Sequence, residues 1–231
     1  MDYVLTTSGL SKKYGKFCAL NDLTMHIPKG SIYGLVGRNG AGKTTLIRLI
    51  CGLQKPTKGH YSIYGVKDNS KDIVKARRRM GAVVETPAIY LDMTAEDNLK
   101  QQCLILGIPS DEIIPDILKL VGLENTGKKK AKNFSLGMKQ RLGIAVALVG
   151  NPDFLVLDEP VNGLDAGVTD DLYRIISRLN KSGITIIMIS HDIARAVENA
   201  GYIAHLGDNC MLFYGESNEY KKLIENGDIR G

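Results

Sequence analysis

The chain has 231 residues, of which 44% are hydrophobic and 24% are charged, and its formal net charge is +5. This is the composition of an ordinary globular protein, and the length suits one large domain or a core with an inserted subdomain. No apolar run approaches the roughly 18–20 residues that are needed to span a bilayer. The first residues lack a basic segment followed by an apolar one, so we expect no secretion signal.

The four cysteines lie far apart and form no CxxC pair. This spacing argues against a zinc site or a disulfide framework and favours a reducing cytosol. Two short basic runs, 77–79 and 128–130, could form a solvated face, lie near anionic lipid or contact nucleic acid. We favour the solvated face, because the runs are too short to form a nucleic-acid groove.

Residues 4–27 hold β-forming side chains on both sides of a turn at Tyr14-Gly15-Lys16. This pattern predicts two antiparallel strands. A tyrosine at such a turn is usually only a turn residue, but its flat ring could also stack on a nucleotide base. The residues alone leave both interpretations of Tyr14 open.

The stretch from Gly37 to Thr45 has the spacing Gly-x4-Gly-Lys-Thr of a phosphate-binding P-loop. An apolar run over 32–36 precedes it and a periodic run over 46–51 follows it, which predicts a strand, a glycine-rich turn and a helix. The glycines allow a tight turn whose N–H groups point at phosphate oxygens, and the helix N-terminus adds to the attraction. Lys43 would reach the β- and γ-phosphates, and the Thr44 hydroxyl would ligate Mg²⁺. The residues assigned to the nucleotide here are Gly37, Asn39, Gly40, Gly42, Lys43, Thr44 and Thr45.

The sequence pattern changes from strands to helices after the P-loop and its helix. Residues 70–80 are predicted to form a helix with an exposed basic face, and 81–84 a short buried strand that ends at Glu85. From 86 to 150 the β-branched runs disappear and helical spacing takes over. We interpret 86–150 as an inserted helical subdomain, with 1–85 and 151–231 forming the nucleotide-binding core.

Three helices are predicted inside this inserted segment. Thr94, followed three residues later by Asp97, is typical of a capped helix start. A second helix is predicted from Ser110 to Val121, although Pro115 inside it argues against a straight one. A third is predicted over 135–149.

Strand patterns resume in the last third of the chain. The apolar run 154–157 indicates a strand that is buried on both faces, as in a parallel sheet, and a second such run covers 184–189. A helix is predicted between them over 166–181. Strands that alternate with helices indicate an α/β protein, so we predict a P-loop core with a mainly parallel sheet and an N-terminal antiparallel β subdomain.

Polar side chains follow both of these predicted strands. Asp158 and Glu159 end the first strand at its C-terminal edge, where doubly wound sheets bind their ligands. They could be surface acids, but beside a P-loop an aspartate can hold Mg²⁺ and the adjacent glutamate can polarise a water. His191 ends the next strand; a lone histidine is more often structural, yet its position at the same edge as Lys43 favours a contact with the γ-phosphate or the attacking water.

With these motifs in place, the sequence resembles the ATP-binding subunit of an ABC transporter over essentially its whole length. Beyond the P-loop, the most specific element is 134–141, Phe-Ser-Leu-Gly-Met-Lys-Gln-Arg, which stands where the family carries its Leu-Ser-Gly-Gly-Gln signature. Ser135 and the Gly137 amide, at a helix N-terminus, make a second anion site. The resemblance implies a head-to-tail dimer, in which each such segment closes over the γ-phosphate of ATP bound to the partner's P-loop.

The resemblance also assigns roles to individual residues. Tyr14 matches the aromatic residue that stacks on adenine, and Asn162 to Asp165 match the D-loop that crosses the dimer interface. His191 matches the switch histidine. Residues 86–150 match the helical subdomain that faces the transmembrane permease.

Three residues depart from the family pattern. Glu85 stands where most members have a glutamine that ligates Mg²⁺ and senses the transmembrane domain. Leu136 replaces the first signature glycine, which excludes an easy positive φ, and Met138 replaces the signature glutamine. This combination resembles the branch of bacterial exporters for bacitracin resistance and lantibiotic self-protection.

The resemblance implies an ATPase on the cytoplasmic face of the membrane that powers export of a membrane-active peptide. It also implies a separate permease as partner, and ATP and Mg²⁺ as cofactors. No nucleic acid is expected as a partner. The alternative is a soluble ABC-type ATPase that acts on nucleic acid or in cofactor assembly. The sequence disfavours this alternative, because it contains neither a long heptad insertion nor a second P-loop. A regulatory nucleotide-binding module without turnover is disfavoured by Glu159 and His191.

Overall fold

The computed structural model describes residues 2–109 and 112–229. Strands β1 (Tyr3–Tyr14) and β2 (Phe17–Pro28) form an antiparallel hairpin. With β4 (Lys58–Ile63) and β5 (Val66–Lys67) they make a four-stranded antiparallel sheet in the order β2-β1-β4-β5. The predicted N-terminal antiparallel β region is therefore confirmed.

The second sheet has six strands in the order β10-β9-β3-β8-β7-β6. Its neighbours from β9 to β6 pair in parallel, and β10 pairs with β9 antiparallel. Both β7 and β8 are buried along their whole length, which is why their sequences are unbroken apolar runs. The bounds are β3 Ile32–Val36, β6 Met80–Val83, β7 Phe154–Asp158, β8 Thr185–Ser190, β9 Tyr202–Gly207 and β10 Cys210–Glu216.

Eight α-helices and one 3-10 turn occur in the described ranges of the chain. Helices α3, α4 and α5 stand between β6 and β7 in the sequence and share one hydrophobic cluster. No helix within 2–109 and 112–229 is both long and apolar enough to cross a membrane. The bounds are α1 Lys43–Ile50, α2 Ile73–Arg77, α3 Ala95–Leu106, α4 Ile113–Val121, the 3-10 turn Ala131–Asn133, α5 Leu136–Leu148, α6 Ala166–Lys181, α7 Ile193–Asn199 and α8 Ser217–Glu225.

Two predicted helix starts can be compared with the structure. Thr94 and Asp97 form a reciprocal capping box at the start of α3, as the sequence predicts. The predicted helix over 110–121 begins at Ile113, and Ser110 and Asp111 lie outside the described residues. Pro115 is the third residue of α4, in the first turn, where a backbone N–H has no helical partner to lose.

Two other predictions were wrong in part. The helix predicted over 70–80 is only the five residues of α2, because the chain must turn at Arg78 to enter β6, where Met80 pairs with Phe154. The strand after it is not fully buried. Ala82 is exposed because β6 is the last strand of its sheet.

The six-stranded sheet lies between two hydrophobic clusters. Alternate residues of the central strands enter opposite clusters: Val156 and Ile187 belong to the cluster with the first sheet and α1. Leu157 and Met188 belong to the cluster with α3 to α6. Packing on both faces fixes the strands, and with them the carboxyl ends of β3, β7 and β8 at one edge.

Candidate nucleotide-binding and catalytic site

The P-loop connects β3 to α1. All three of its glycines have positive φ angles, 145° at Gly37, 84° at Gly40 and 99° at Gly42. A Cβ at Gly37 would overlap the carbonyl oxygen of Leu206, and one at Gly42 would overlap that of Ala19. These positions therefore require glycine for both conformation and space. The tip of the loop, 38–40, is exposed and open to a phosphate.

Lys43 lies inside this loop and is only 6% exposed. Its Nζ donates to the carbonyl oxygens of Gly37 at 2.5 Å and Arg38 at 3.0 Å. Burial lowers the pKa of Lys43, and the charges of Glu159 and Asp158 act in the opposite direction. The loop thus holds a buried cation beside two carboxylates.

Asp158 is the last residue of β7 and is 4% exposed. Burial is the main cause that raises the pKa of its carboxyl; the Glu159 charge also raises it, and a hydrogen bond with the Glu85 backbone lowers it. Asp158 is paired in register with Ile189 of β8, and the Glu159 amide donates to the Ile189 carbonyl oxygen at 3.2 Å. The two strand ends are therefore directly joined.

His191 follows β8 and faces Glu159. Its Nδ1 lies 3.0 Å from Oε2 of Glu159, and the two side chains are 54% and 25% exposed. The structure thus brings together four residues singled out in the sequence, namely Lys43, Asp158, Glu159 and His191. A glutamate held by a histidine, next to a buried lysine, can orient a water for attack on a phosphate.

The residues predicted for magnesium fit that ion in part. Thr44 is the second residue of α1 and is half-buried, and Asp158 supplies a buried carboxylate whose charge is destabilised by its surroundings. Hydroxyl, carboxylate and phosphate oxygens are the ligands that Mg²⁺ prefers. Asp158 therefore gains from a cation at this edge.

Glu85 follows β6 in a left-handed conformation, with a φ of 61°. Its carboxylate forms an ion pair with the guanidinium of Arg48 on α1. The sequence reasoning missed Arg48 as a partner of the site. The signal was available in its spacing, because Arg48 stands four residues after Thr44 on the same face of the helix.

The segment that corresponds to the family signature lies at the start of α5. The Ser135 hydroxyl caps the helix and accepts from the Met138 amide at 3.2 Å. Leu136 is the first helical residue, which agrees with the expected ordinary backbone conformation. A Cβ at Gly137 would overlap the side chain of Val168 on α6, so this glycine is required for helix packing.

Tyr14 ends β1 and its side chain is 42% exposed. Its hydroxyl hydrogen-bonds to the side chain of Gln54, which follows α1. The Lys12 ammonium lies 5.2 Å from the centre of the ring. The ring is thus anchored near the P-loop helix and keeps surface available for a base.

Two concave surfaces flank the site. A cavity of about 270 Å³ lies beside Glu159 and His191 and is lined by D-loop residues such as Asn162. A groove of about 550 Å³ runs between β6 and α5. Its lining includes Val74, Val84, Thr86 and Leu106.

This geometry and the comparisons with known proteins define one class. Residues 20–162 match the family model described as ABC transporter. The chain belongs to this family, and it is an ATP-binding subunit in which ATP hydrolysis is coupled to transport.

Two relatives make the placement more specific. The lantibiotic transport ATP-binding protein SrtF of Streptococcus pyogenes is 38% identical over 226 residues, 96% of each chain. The bacitracin transport ATP-binding protein BcrA of Bacillus licheniformis is 44% identical over 209 residues, 88% of this chain and 67% of that protein. The resemblance to this branch is therefore confirmed at the level of sequence similarity.

Solved structures share the fold. The structure of cbiO1 from Clostridium perfringens, part of the ABC transporter complex cbiONQ, has a TM-score of 0.88 and 28% identity, covering 100% of this chain and 96% of that one. A dimeric post-hydrolysis state of the ATP-binding cassette MJ0796, bound to ADP and Pi, has a TM-score of 0.81 and 28% identity, covering 92% and 98%.

Proposed function

We propose that this subunit powers the export of a membrane-active peptide antibiotic of the lantibiotic or bacitracin type, and so protects the cell that makes or meets it. The similarity to SrtF, a lantibiotic transport protein, and to BcrA, a bacitracin transport protein, supports this cargo class. The acid at Glu85 and the segment 134–141 support the same branch.

The catalytic role proposed for this subunit is supported by one observation. One sheet edge brings together Lys43, Asp158, Glu159 and His191. Lys43 and the loop amides would hold the phosphates of ATP and offset their charge. Glu159 would orient the attacking water, with His191 fixing its carboxylate. Magnesium, held by Thr44, Asp158 and Glu85, would supply further charge neutralisation.

We propose that two copies complete each site. Ser135 and Gly137 at the start of α5 would contact the γ-phosphate held by the partner's P-loop, and Tyr14 would stack on the adenine. The exposed cap at Ser135 leaves this helix start open to a partner. The dimeric relative bound to ADP and Pi supports the arrangement.

The permease would dock on the helical segment 86–150, at the cytoplasmic face of the membrane. Leu104, Ile105 and Leu106, at the end of α3, are 76%, 62% and 41% exposed. Leu106 also lines the groove beside β6. Contiguous exposed apolar side chains beside a groove are typical of a partner surface.

The test is to express the chain with the permease encoded by the neighbouring reading frames in a sensitive host, and to measure resistance to bacitracin and to a lantibiotic. We expect the minimum inhibitory concentration to rise for at least one of them. Lys43→Ala, which removes the phosphate-binding ammonium, should abolish the increase. Equal resistance with wild type and Lys43→Ala would refute the proposal.

A further inference from the structure

An ion pair ties the P-loop helix to the segment that follows β6. The Arg48 guanidinium and the Glu85 carboxylate are in direct contact, and their side chains are 40% and 53% exposed. Arg48 lies one turn after Thr44 on α1. The pair is a charge-assisted hydrogen bond between two elements that are 37 residues apart in the sequence.

Glu85 also contacts the site through its backbone. A hydrogen bond with the backbone of Glu85 stabilises the charged form of Asp158, and the Glu85 carboxylate is near enough to repel that charge. The next residue, Thr86, lines the groove beside β6. Glu85 therefore stands between the groove, the buried aspartate and the P-loop helix.

We infer that Arg48 is a positioning residue that holds the Glu85 carboxylate on α1 in the nucleotide-free protein, so that this carboxylate can serve magnesium only when the ion pair opens. The inference rests on the proposed assignment of Glu85 to magnesium. A guanidinium and a divalent cation compete for the same oxygens. A glutamine at position 85 would offer Arg48 no charge to hold, so the competition depends on the acid.

The pair is weak enough to be reversible. Exposed ion pairs are screened by solvent and salt, and their removal changes an equilibrium by about two- to five-fold. Arg48 therefore sets a modest threshold for magnesium-dependent nucleotide capture.

The experiment is a double-mutant cycle on ADP binding, measured by calorimetry in saturating Mg²⁺ and in a chelator. The quantity compared is the ratio of the two dissociation constants, because a general loss of positive charge near the phosphates weakens binding in both conditions. Arg48→Gln should strengthen the magnesium-dependent gain in affinity by about two- to five-fold. In a Glu85→Gln background, Arg48→Gln should leave the ratio unchanged.

Arg174→Gln is the matched control. Arg174 forms an exposed ion pair at 3.0 Å with Asp171 on α6, away from the P-loop helix, and its loss should not alter the ratio. An unchanged ratio for Arg48→Gln, or the same change in both backgrounds, would overturn the inference. Failure of the wild-type chain to bind ADP at all would instead contradict the proposed function.

Hydrogen exchange of the nucleotide-free protein gives a second measurement that needs no ligand. The peptide that contains 83–88 should exchange faster than in the wild type, by the same factor, in Arg48→Gln and in Glu85→Gln. The double variant should exchange no faster than either single variant. Unaltered exchange in Arg48→Gln would show that the pair does not hold this segment, and would also overturn the inference.

Discussion

Glu159 has a φ of 48°, in the left-handed region, directly after β7. For a residue with a side chain, this conformation costs about 1–2 kcal/mol. The turn directs the chain so that the carboxylate meets His191 while the amide still donates to Ile189 at the end of β8. Strain of this kind persists where the surrounding structure holds it, and it is common at functional sites.

Glu159→Gln should lower the ATPase rate by at least about 100-fold, because the amide cannot accept a proton from the attacking water. The change leaves Lys43 and the P-loop intact, so nucleotide binding should be retained and an ATP-bound dimer should accumulate. Steady-state ATPase assays and size-exclusion chromatography with ATP measure the two effects. Hydrolysis at the wild-type rate would show that Glu159 does not have the role given to it.

Asp158 is placed at a cost to stability. Burial raises the pKa of its carboxyl in the folded protein above the ordinary value of 3.8. The unfolded chain therefore releases this proton at a lower pH than the folded protein does. The free energy of unfolding should fall as pH rises between the ordinary and the raised pKa, and the full cost should remain above the raised pKa.

Asp158→Asn should remove this cost and raise the free energy of unfolding of the nucleotide-free protein by about 1 kcal/mol at neutral pH. The gain should shrink as the pH falls through the raised pKa, and it should vanish well below 3.8, where the wild-type carboxyl is protonated in both states. Urea denaturation at several pH values measures it, with Asp165→Asn, at an exposed position, as the control. A less stable Asp158→Asn protein at neutral pH would contradict this explanation.

At the residue scale, the position of a single side chain can be predicted from the sequence, but its pairing with a residue of another element cannot. The spacing of the P-loop predicts that Lys43 reaches the β- and γ-phosphates of a bound nucleotide. It does not predict that Arg48 holds Glu85, since that contact depends on how β6 meets α1. The positions of Asp158 and His191 could be predicted because Asp158 ends the buried strand β7 and His191 directly follows the buried strand β8.

At the scale of elements, the packing of α5 on α6 fixes the start of α5. Gly137 is a helical residue, and an added Cβ there would overlap Val168. Gly167, on α6, is also helical, and no atom lies within 4 Å of the position its Cβ would take. The two glycines therefore differ in packing, although both have ordinary helical conformations.

Gly137→Ala should destabilise the protein by about 1–3 kcal/mol, because the methyl group forces α5 and α6 apart. Gly167→Ala should be neutral or stabilise the protein by up to about 1 kcal/mol, since alanine is the better helix former. Chemical denaturation of both variants measures the difference. Equal stabilities would show that the space at Gly137 is not limiting.

The sequence predicts best those elements whose own residues carry a strong local pattern. The buried strands β7 and β8 and the capped helix α3 carry strong local patterns, and they appear where expected. The segment 70–80 is shorter as a helix than its pattern suggests, because pairing of β6 with β7 decides where the helix must end. Tertiary contacts of this kind leave little trace in local sequence.

At the scale of the whole molecule, the fold separates two surfaces and connects them through one short segment. The nucleotide edge holds Lys43, Asp158 and Glu159, and the groove beside β6 lies next to the helical segment. Glu85 and Thr86 lie between the two. A partner that moves the groove would therefore move a residue in contact with Asp158.

The need for a second copy is a prediction of the family resemblance and not of local sequence patterns. The helix N-terminus at the start of α5 predicts an anion site, and in the family resemblance the ligand of that site is the partner's phosphate. In the proposed function, cargo specificity would likewise depend on the permease, and the class of cargo is proposed from the relatives SrtF and BcrA.

The central claim is that two copies of the chain complete each ATPase site. Its most direct test is the specific ATPase activity, measured over a wide range of protein concentrations. If Ser135 and Gly137 of one copy act on ATP held by the other, activity per molecule should rise with concentration and then level off as the dimer forms. A specific activity that is constant at every concentration below the dimer range, with the protein shown to be monomeric there, would contradict the account.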